Sequence, residues 1–230
     1  MVKFIGLLLL TAGLSLASTI IYVTPTGSTD SVGETVAANA TITTGNGTVT
    51  VVLTNLLANT KSAGQLLSDF MFTLSVTPTT AVNTTSVPTS ATLIDVFSAG
   101  AGTFHAGTPT AWQVTSSGKV VHIDSLFDGP AQTIIGSGPF TNPNASITGN
   151  HNPFVNQTAT FTFNVAGVTS STTVTAASFS FGTTAGDNVT GSVCISNCGV
   201  TVQSAPEPVS FALVGAGLLC AGLVKKLRRA

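Results

Sequence analysis

Short segments in which apolar residues occupy every second position recur along the middle of this chain, and they constrain its fold more than any other feature. The clearest are residues 70–76, 161–165 and 179–181, where Phe, Leu or Val repeats with a period of two. Side chains of a strand point alternately to its two faces, so this period predicts strands with one buried face. No long stripe with the 3.6-residue period of a helix is present. The sequence therefore predicts an all-β fold, an antiparallel β-sandwich or jelly roll of about 8–11 strands.

The residues around these segments predict how the strands are connected. Residues 40–53 have the pattern of a hairpin whose turn contains Gly45, Asn46 and Gly47. Residues 62–69 are predicted to form one short helical turn, and the Gly-, Pro- and Asn-rich stretch 128–153 to be a long loop over one edge of the sheets. Thr-x-Thr recurs at irregular intervals, which argues against a solenoid with a flat threonine face.

The composition excludes several classes of protein. Charged residues make up 7% of the 230 residues, while the 39 Thr and 23 Ser together make up more than a quarter of the chain. A nucleic-acid binder needs clustered Lys and Arg, so no nucleic-acid partner is predicted. A mean hydropathy of +0.49 argues against disorder. Residues 18–205 contain seven acidic residues and two lysines, a formal net charge of −5, which disfavours anionic surfaces without identifying a ligand.

The N-terminal segment, residues 1–17, has the pattern of a secretory signal peptide. Lys3 precedes a short apolar run, and small residues at positions 15 and 17 end it. This pattern predicts an N-terminal signal helix, residues 1–17, with cleavage between Ala17 and Ser18. An N-terminal membrane anchor is the alternative, but the run is shorter than the roughly 20 apolar residues that a bilayer requires.

The C-terminal segment, residues 206–230, combines a proline motif, an apolar segment and a basic end. Sixteen uncharged residues, 209–224, would reach about 24 Å as a helix, which is a thin membrane span. We predict a single C-terminal transmembrane helix whose basic end stays on the cytoplasmic side. The basic residues that follow it are Lys225, Lys226, Arg228 and Arg229.

This three-part order resembles the PEP-CTERM sorting tail found in certain Gram-negative bacteria. The resemblance implies that Pro206, Glu207 and Pro208 are the recognition motif for exosortase, an integral-membrane enzyme that removes the helix. It further implies that residues 209–224 are a transient membrane anchor. Residues 225–230 would then be the basic stop-transfer segment that follows the anchor. The predicted organisation is therefore a signal peptide (1–17), a β-sandwich ectodomain (18–205) and a sorting tail (206–230). An ordinary single-pass anchor is the main alternative.

Cys194 and Cys198 are predicted to form a disulfide, since they lie four residues apart in an exported protein. Cys220 lies in the apolar tail segment and has no predicted role. Two further ligands at suitable spacing for zinc are missing from the neighbourhood of the cysteine pair, so a zinc site there is not predicted.

His122 and Asp124 stand two residues apart on one predicted strand face, with Asp128 in the turn that follows. Asp124 and Asp128 are candidate Ca²⁺ ligands, although we favour the alternative of an exposed strand end and an Asp-Gly turn. His105 and His151 are placed in loops. We predict no bound metal and no cofactor.

The sequence contains none of the common hydrolase motifs, such as Gly-x-Ser-x-Gly or His-Glu-x-x-His. Trp112 could stack on a sugar, but a lone tryptophan between Ala111 and Val114 more often packs in a core. We predict a noncatalytic protein that is exported and sorted to the cell surface, outer envelope or extracellular matrix. Its partners are signal peptidase and exosortase during export and exopolysaccharide afterwards. The alternatives are an extracellular polysaccharide-active enzyme and a plain membrane-anchored β-domain.

Overall fold

The computed structural model describes residues 17–85, 88–196 and 198. The predicted signal helix, the PEP motif, the apolar tail segment and the basic end all lie outside these ranges, apart from Ala17. The compact unit that contains the described residues ends at Cys198. Among the described residues, no helix is both long and apolar enough to cross a membrane.

Nearly all of the regular secondary structure in the described part of the chain is β-strand, as the alternating pattern predicts. It contains one 3₁₀ turn at Ala63–Gln65 and one short helix, α1 (Ala145–Thr148). The strands are β1 (Ser18–Val23), β2 (Ala38–Thr44), β3 (Thr48–Asn55), β4 (Leu67–Leu74), β5 (Asn83–Thr84), β6 (Ser90–Val96), β7 (Gly102–His105), β8 (Gln113–Ser117), β9 (Val120–Asp124), β10 (Ile134–Ile135), β11 (Phe154–Asn164), β12 (Val174–Phe181), β13 (Asn188–Thr190) and β14 (Ser192–Val193).

Hydrogen bonding arranges these strands in two rows. The first row runs β7-β6-β11-β3-β2-β1-β14 and the second runs β13-β12-β4-β9-β8-β5, with antiparallel neighbours throughout. Strand β10 connects the rows, because it pairs parallel with β11 and antiparallel with β4. Fourteen strands lie within the described ranges, where about 8–11 were predicted. The excess comes from two-residue strands such as β5, β10 and β14, which are too short to show a period in the sequence.

One hydrophobic cluster receives the buried face of both rows. Ile42, Val51 and Phe161 contribute from the first row, and Phe72 and Phe179 from the second. Phe70 packs against Phe179 with ring centroids 5.0 Å apart. Every phenylalanine in the three alternating segments is buried, which confirms the predicted strand faces. The predicted hairpin is also present as β2 and β3.

The stretch 128–153 is more structured than the predicted loop. It contains β10 and α1, and its Ile135, Phe140 and Ile147 form a second, smaller core with Phe154. Residues 62–69 form the predicted turn only in part, because β4 begins at Leu67.

Trp112 lies in the main core, as expected for a lone tryptophan. Its side chain is fully buried and packs on Phe161 with ring centroids 5.1 Å apart. The indole Nε1 donates a hydrogen bond of 3.0 Å to the backbone carbonyl of Gln132. Trp112 is therefore not placed to stack on a sugar.

Candidate functional site

A groove with a volume of about 670 Å³ lies at one end of the strand rows. It is formed by the β1–β2 connection, the 3₁₀ turn, the start of α1 and the β12–β13 connection. Its lining includes three carboxylates, those of Asp30, Glu34 and Asp187, and no lysine or arginine. The groove is therefore acidic and rich in hydrogen-bond acceptors.

Hydrogen bonds within the groove hold its walls together. Asp30 Oδ1 accepts the backbone N–H of Glu34 at 2.7 Å, and Asp187 Oδ2 accepts that of Ser31 at 2.8 Å. The second bond links two connections that are 156 residues apart in sequence. Ser62 Oγ donates to the Glu34 carboxylate. The carboxylates are thus fixed in position before any ligand arrives.

Gly64 in the 3₁₀ turn lies very close to the Asp30 carboxylate. A Cβ on Gly64 would lie 2.2 Å from Asp30 Oδ2 and 3.2 Å from Glu34 Oε2. The carboxylates of Asp30 and Glu34 therefore both lie close to the 3₁₀ turn, and a larger residue at position 64 would require the Asp30 side chain to shift.

A second cluster of acidic and imidazole groups lies on the outer face of the second row. Asp69 on β4 pairs directly with Asp124 on β9, and His122 lies two residues before Asp124 on the same strand. Phe70, Val121 and Ile123 alternate with these residues and point into the core. The period of two therefore places all three polar side chains on the opposite face.

The three side chains form a compact group. His122 Nε2 lies 2.7 Å from Asp69 Oδ2, and one ligand atom from each of Asp69, His122 and Asp124 lies within 4.8 Å of the others. Within the described ranges this is the only group of three or more His, Cys, Asp or Glu residues with such spacing. Asp124 also accepts the backbone N–H of Leu126 at 2.6 Å.

Burial and proximity shift the ionisation of this group. Burial raises the pKa of Asp69, the contact with His122 lowers it and the Asp124 carboxylate raises it, for a net increase. The interaction with the Asp69 carboxylate raises the pKa of His122, against a smaller decrease from burial. Asp69 is almost completely buried, while His122 is about one-third exposed.

The sequence analysis found only part of this cluster. It placed His122 and Asp124 on one strand face, but it paired Asp124 with Asp128 rather than with Asp69. Asp128 lies exposed in a turn closed by Gly129 N–H and the Leu126 carbonyl, outside the group. The one signal for Asp69 was a single acidic residue inside the apolar segment of β4.

The other predicted site residues are placed as follows. Cys194 and Cys198 are joined by a disulfide, with Cα atoms 5.7 Å apart. Ser18, the residue after the predicted cleavage site, is the first residue of β1. His151 lies in a turn, but His105 is the last residue of β7 and not in a loop.

Comparisons with known proteins add no assignment. No family model, no curated protein and no solved structure matches the chain.

Proposed function

We propose that this chain is an exported protein of the cell surface or extracellular matrix, sorted by exosortase and associated with exopolysaccharide through a noncatalytic domain. The observation that carries the proposal is the order of residues 206–230, in which Pro206-Glu207-Pro208, an apolar segment and a basic end follow one another. This order resembles a PEP-CTERM tail. The protein passes through the inner membrane transiently and then reaches the outer envelope or the medium.

The ectodomain is an antiparallel β-sandwich of the jelly-roll kind. The cluster that contains Phe161 and Phe179, to which both rows of strands contribute, supports this proposal, because two packed sheets share one apolar core. Two sheets with a shared apolar core need neither a cofactor nor a large number of charges for stability. This agrees with a chain in which charged residues make up 7%.

The bounds of the described strands are compatible with processing at both ends. Cleavage after Ala17 would leave β1 intact, since β1 begins at Ser18. Removal of the chain beyond Pro208 would leave every described strand intact, since the compact unit ends at Cys198. Signal peptidase and exosortase would therefore release a folded domain and not a fragment of one.

The acidic groove is the site that we assign to the exopolysaccharide. Carboxylates held in fixed positions accept hydrogen bonds from sugar hydroxyls, and Thr183, Thr184 and Ser146 add hydroxyl groups to the lining. Because no lysine or arginine lines the groove, a neutral polysaccharide or one that contains amino sugars fits better than an anionic one.

Mass spectrometry of the native protein tests the sorting. The C-terminal peptide is identified separately in the inner-membrane, outer-envelope and secreted fractions. We expect a terminus near Pro206–Pro208 in the last two fractions, with residues 209–230 absent. An intact Ala230 in the inner membrane, and nothing elsewhere, would show an ordinary single-pass anchor.

Polysaccharide pull-down tests the groove. The processed protein is incubated with immobilised neutral, amino-sugar and uronic-acid polymers. Ala185 lies exposed in the groove lining, so we expect Ala185→Trp to block binding to the first two polymers. Ala131 is exposed and does not line the groove, and Ala131→Trp serves as the matched control. Equal retention of both variants would place the polysaccharide elsewhere on the protein.

A further inference from the structure

A transverse row of polar side chains crosses the outer face of the second strand row. Ser180 on β12 pairs with Asp69 on β4, Asp69 pairs with Asp124 on β9, and Asp124 pairs with Gln113 on β8. Directly paired residues on antiparallel strands share a face, with Cβ atoms about 4.5–5.5 Å apart. His122 lies diagonally beside Asp69 on the same face. Two carboxylates, an imidazole and a hydroxyl therefore converge on one spot.

The repulsion between two carboxylates and the lack of a lysine or arginine beside them within the described ranges favour a positively charged ligand at this position. Carboxylates directly opposite each other on paired strands repel, and Asp69 and Asp124 are in that position. The repulsion is strong here because Asp69 is 5% exposed and is removed from the screening of bulk water. Among the described residues, no lysine or arginine forms an ion pair with either carboxylate. His122 supplies at most one positive charge for the two carboxylates.

Unpartnered buried oxygens give a second, independent indication of a ligand. Asp69 Oδ1 and Ser180 Oγ are both inaccessible to solvent and have no hydrogen-bond partner. Ser180 itself is 1% exposed. A buried carboxylate oxygen without a partner is costly and rare in folded proteins. Asp69 Oδ1 belongs to the carboxylate whose Oδ2 contacts His122, so an unpartnered oxygen within the cluster indicates that the cluster binds a ligand.

We propose that Asp69, His122 and Asp124 bind one first-row divalent metal ion, with Zn²⁺ the best fit. Two carboxylates balance the charge of the ion, and imidazole favours zinc over the oxygen-seeking Ca²⁺. Donors bound to zinc at about 2.1 Å lie roughly 3–3.5 Å from one another in tetrahedral geometry. The contact between His122 Nε2 and Asp69 Oδ2, now 2.7 Å, would open by less than about 1 Å.

The site lies near solvent, because His122 is about one-third exposed and Asp124 is partly exposed. The donor atoms themselves are less accessible, since His122 Nε2 and Asp69 Oδ1 are closed to solvent. Three protein ligands leave the fourth position of a tetrahedral zinc ion for water, as distinct from a closed structural site with four protein ligands. The site does not depend on how the protein is sorted or on what its groove binds.

Calorimetric titration of the full-length protein, stripped of metal with EDTA and kept in mild detergent, tests the proposal. Zn²⁺ is the titrant, and Ca²⁺ is used in a parallel titration. We expect one Zn²⁺ per chain and a higher melting temperature with Zn²⁺ than without it. His122→Gln and Asp124→Asn are expected to weaken Zn²⁺ binding by at least about 100-fold, since each removes a ligand and even the loss of a ligand's supporting partner weakens binding by about 10–100-fold.

Matched controls make the result specific to this site. His151→Gln and Asp128→Asn repeat the two substitutions at positions outside the group and are expected to bind Zn²⁺ as the parent protein does. Each variant is melted in EDTA, so that a misfolded variant is recognised. The d–d spectrum of bound Co²⁺ gives a second readout, which we expect to be lost only in His122→Gln and Asp124→Asn. Equal Zn²⁺ affinity in His122→Gln and His151→Gln, or stronger binding of Ca²⁺ than of Zn²⁺, would overturn the proposal.

Discussion

At the scale of single residues, the pair Asp69 and His122 determines how the protein responds to pH when no metal is present. The imidazole of His122 has a pKa raised above the ordinary 6.5 by the adjacent Asp69 carboxylate. The protonated histidine is therefore favoured in the folded state. That contribution to stability is complete below pH 6.5 and disappears as the pH rises through the folded-state pKa. Asp69 acts in the same direction, because its burial also raises its pKa and favours protonation in the folded state.

The free energy of unfolding in EDTA is expected to fall as the pH rises from 6 towards 8.5. Urea denaturation at half-unit pH intervals measures it. His122→Gln should remove most of this fall, because glutamine does not titrate, whereas His151→Gln should keep it. A parent protein whose urea midpoint rises over this interval would show that the pair does not stabilise the folded state in this way.

Some residues of the candidate metal site could be predicted from the sequence and others could not. The pairing of His122 with Asp124 follows from their spacing of two, because strand geometry alone places them on one face. Asp69 joins them only through the register of β4 and β9, which long-range packing sets. Gln132 is similar, since its Oε1 accepts the N–H groups of Thr110 and Ala111 and its carbonyl accepts from Trp112. Nothing in the local sequence indicates that role.

At the scale of the strands, threonine replaces charge as the outward-facing residue. Thr19, Thr43, Thr50 and Thr162 occupy paired positions across β1, β2, β3 and β11. The Thr19 and Thr43 hydroxyls are 3.0 Å apart and those of Thr50 and Thr162 3.1 Å apart. Such cross-strand pairs each stabilise a sheet by about 0.2–1 kcal/mol. The irregular Thr-x-Thr spacing in the sequence is therefore compatible with a regular row once the strands pair.

Among the described strands, β10 is the one whose hydrogen bonds join the two rows, so we expect substitutions beside it to be costly. Gly136 follows it, and a Cβ there would lie 1.9 Å from the Leu57 carbonyl oxygen. A backbone atom cannot move aside as a flexible side chain can. We expect Gly136→Ala to destabilise the protein by about 1–3 kcal/mol, the usual range for overpacking. Urea denaturation measures this loss.

Gly107→Ala is the control for that substitution. Its Cβ would lie 3.1 Å from the end of the Leu93 side chain, which can shift. We expect a change within about 0.5 kcal/mol, as for most surface substitutions. If the two variants lost the same free energy of unfolding, the backbone around β10 would be able to move and relieve the close contact at position 136.

At the scale of the whole molecule, the strand faces were predictable and the strand order was not. The alternating segments determine which side chains are buried, because a shift by one residue would expose every phenylalanine. The order of the strands depends on pairings such as β1 with β14, which joins Tyr22 to Val193. Long-range pairings of this kind leave no local pattern. The assignment of both ends of the chain to export and sorting stays a prediction.

The last strand closes the first row, and this predicts where the chain can be shortened. Strand β14 pairs with one edge of β1 while β2 occupies the other. The Cys194 N–H donates to the Ile21 carbonyl at 2.9 Å, and the Asn39 side chain donates to the Cys198 carbonyl at 3.1 Å. The disulfide between Cys194 and Cys198 fixes the segment that makes these contacts.

We expect a protein of residues 18–198 to unfold at the same urea concentration as one of residues 18–205. A protein of residues 18–191 should be less stable by about 2–4 kcal/mol, because it loses the hydrogen bonds, the disulfide and the cover of the β1 edge. Reduction of the 18–198 protein should give an intermediate midpoint, since only the disulfide is lost. If residues 18–191 were as stable as residues 18–198, β14 would be dispensable. The folded unit would then end before the disulfide, and residues 192–205 would serve as a linker.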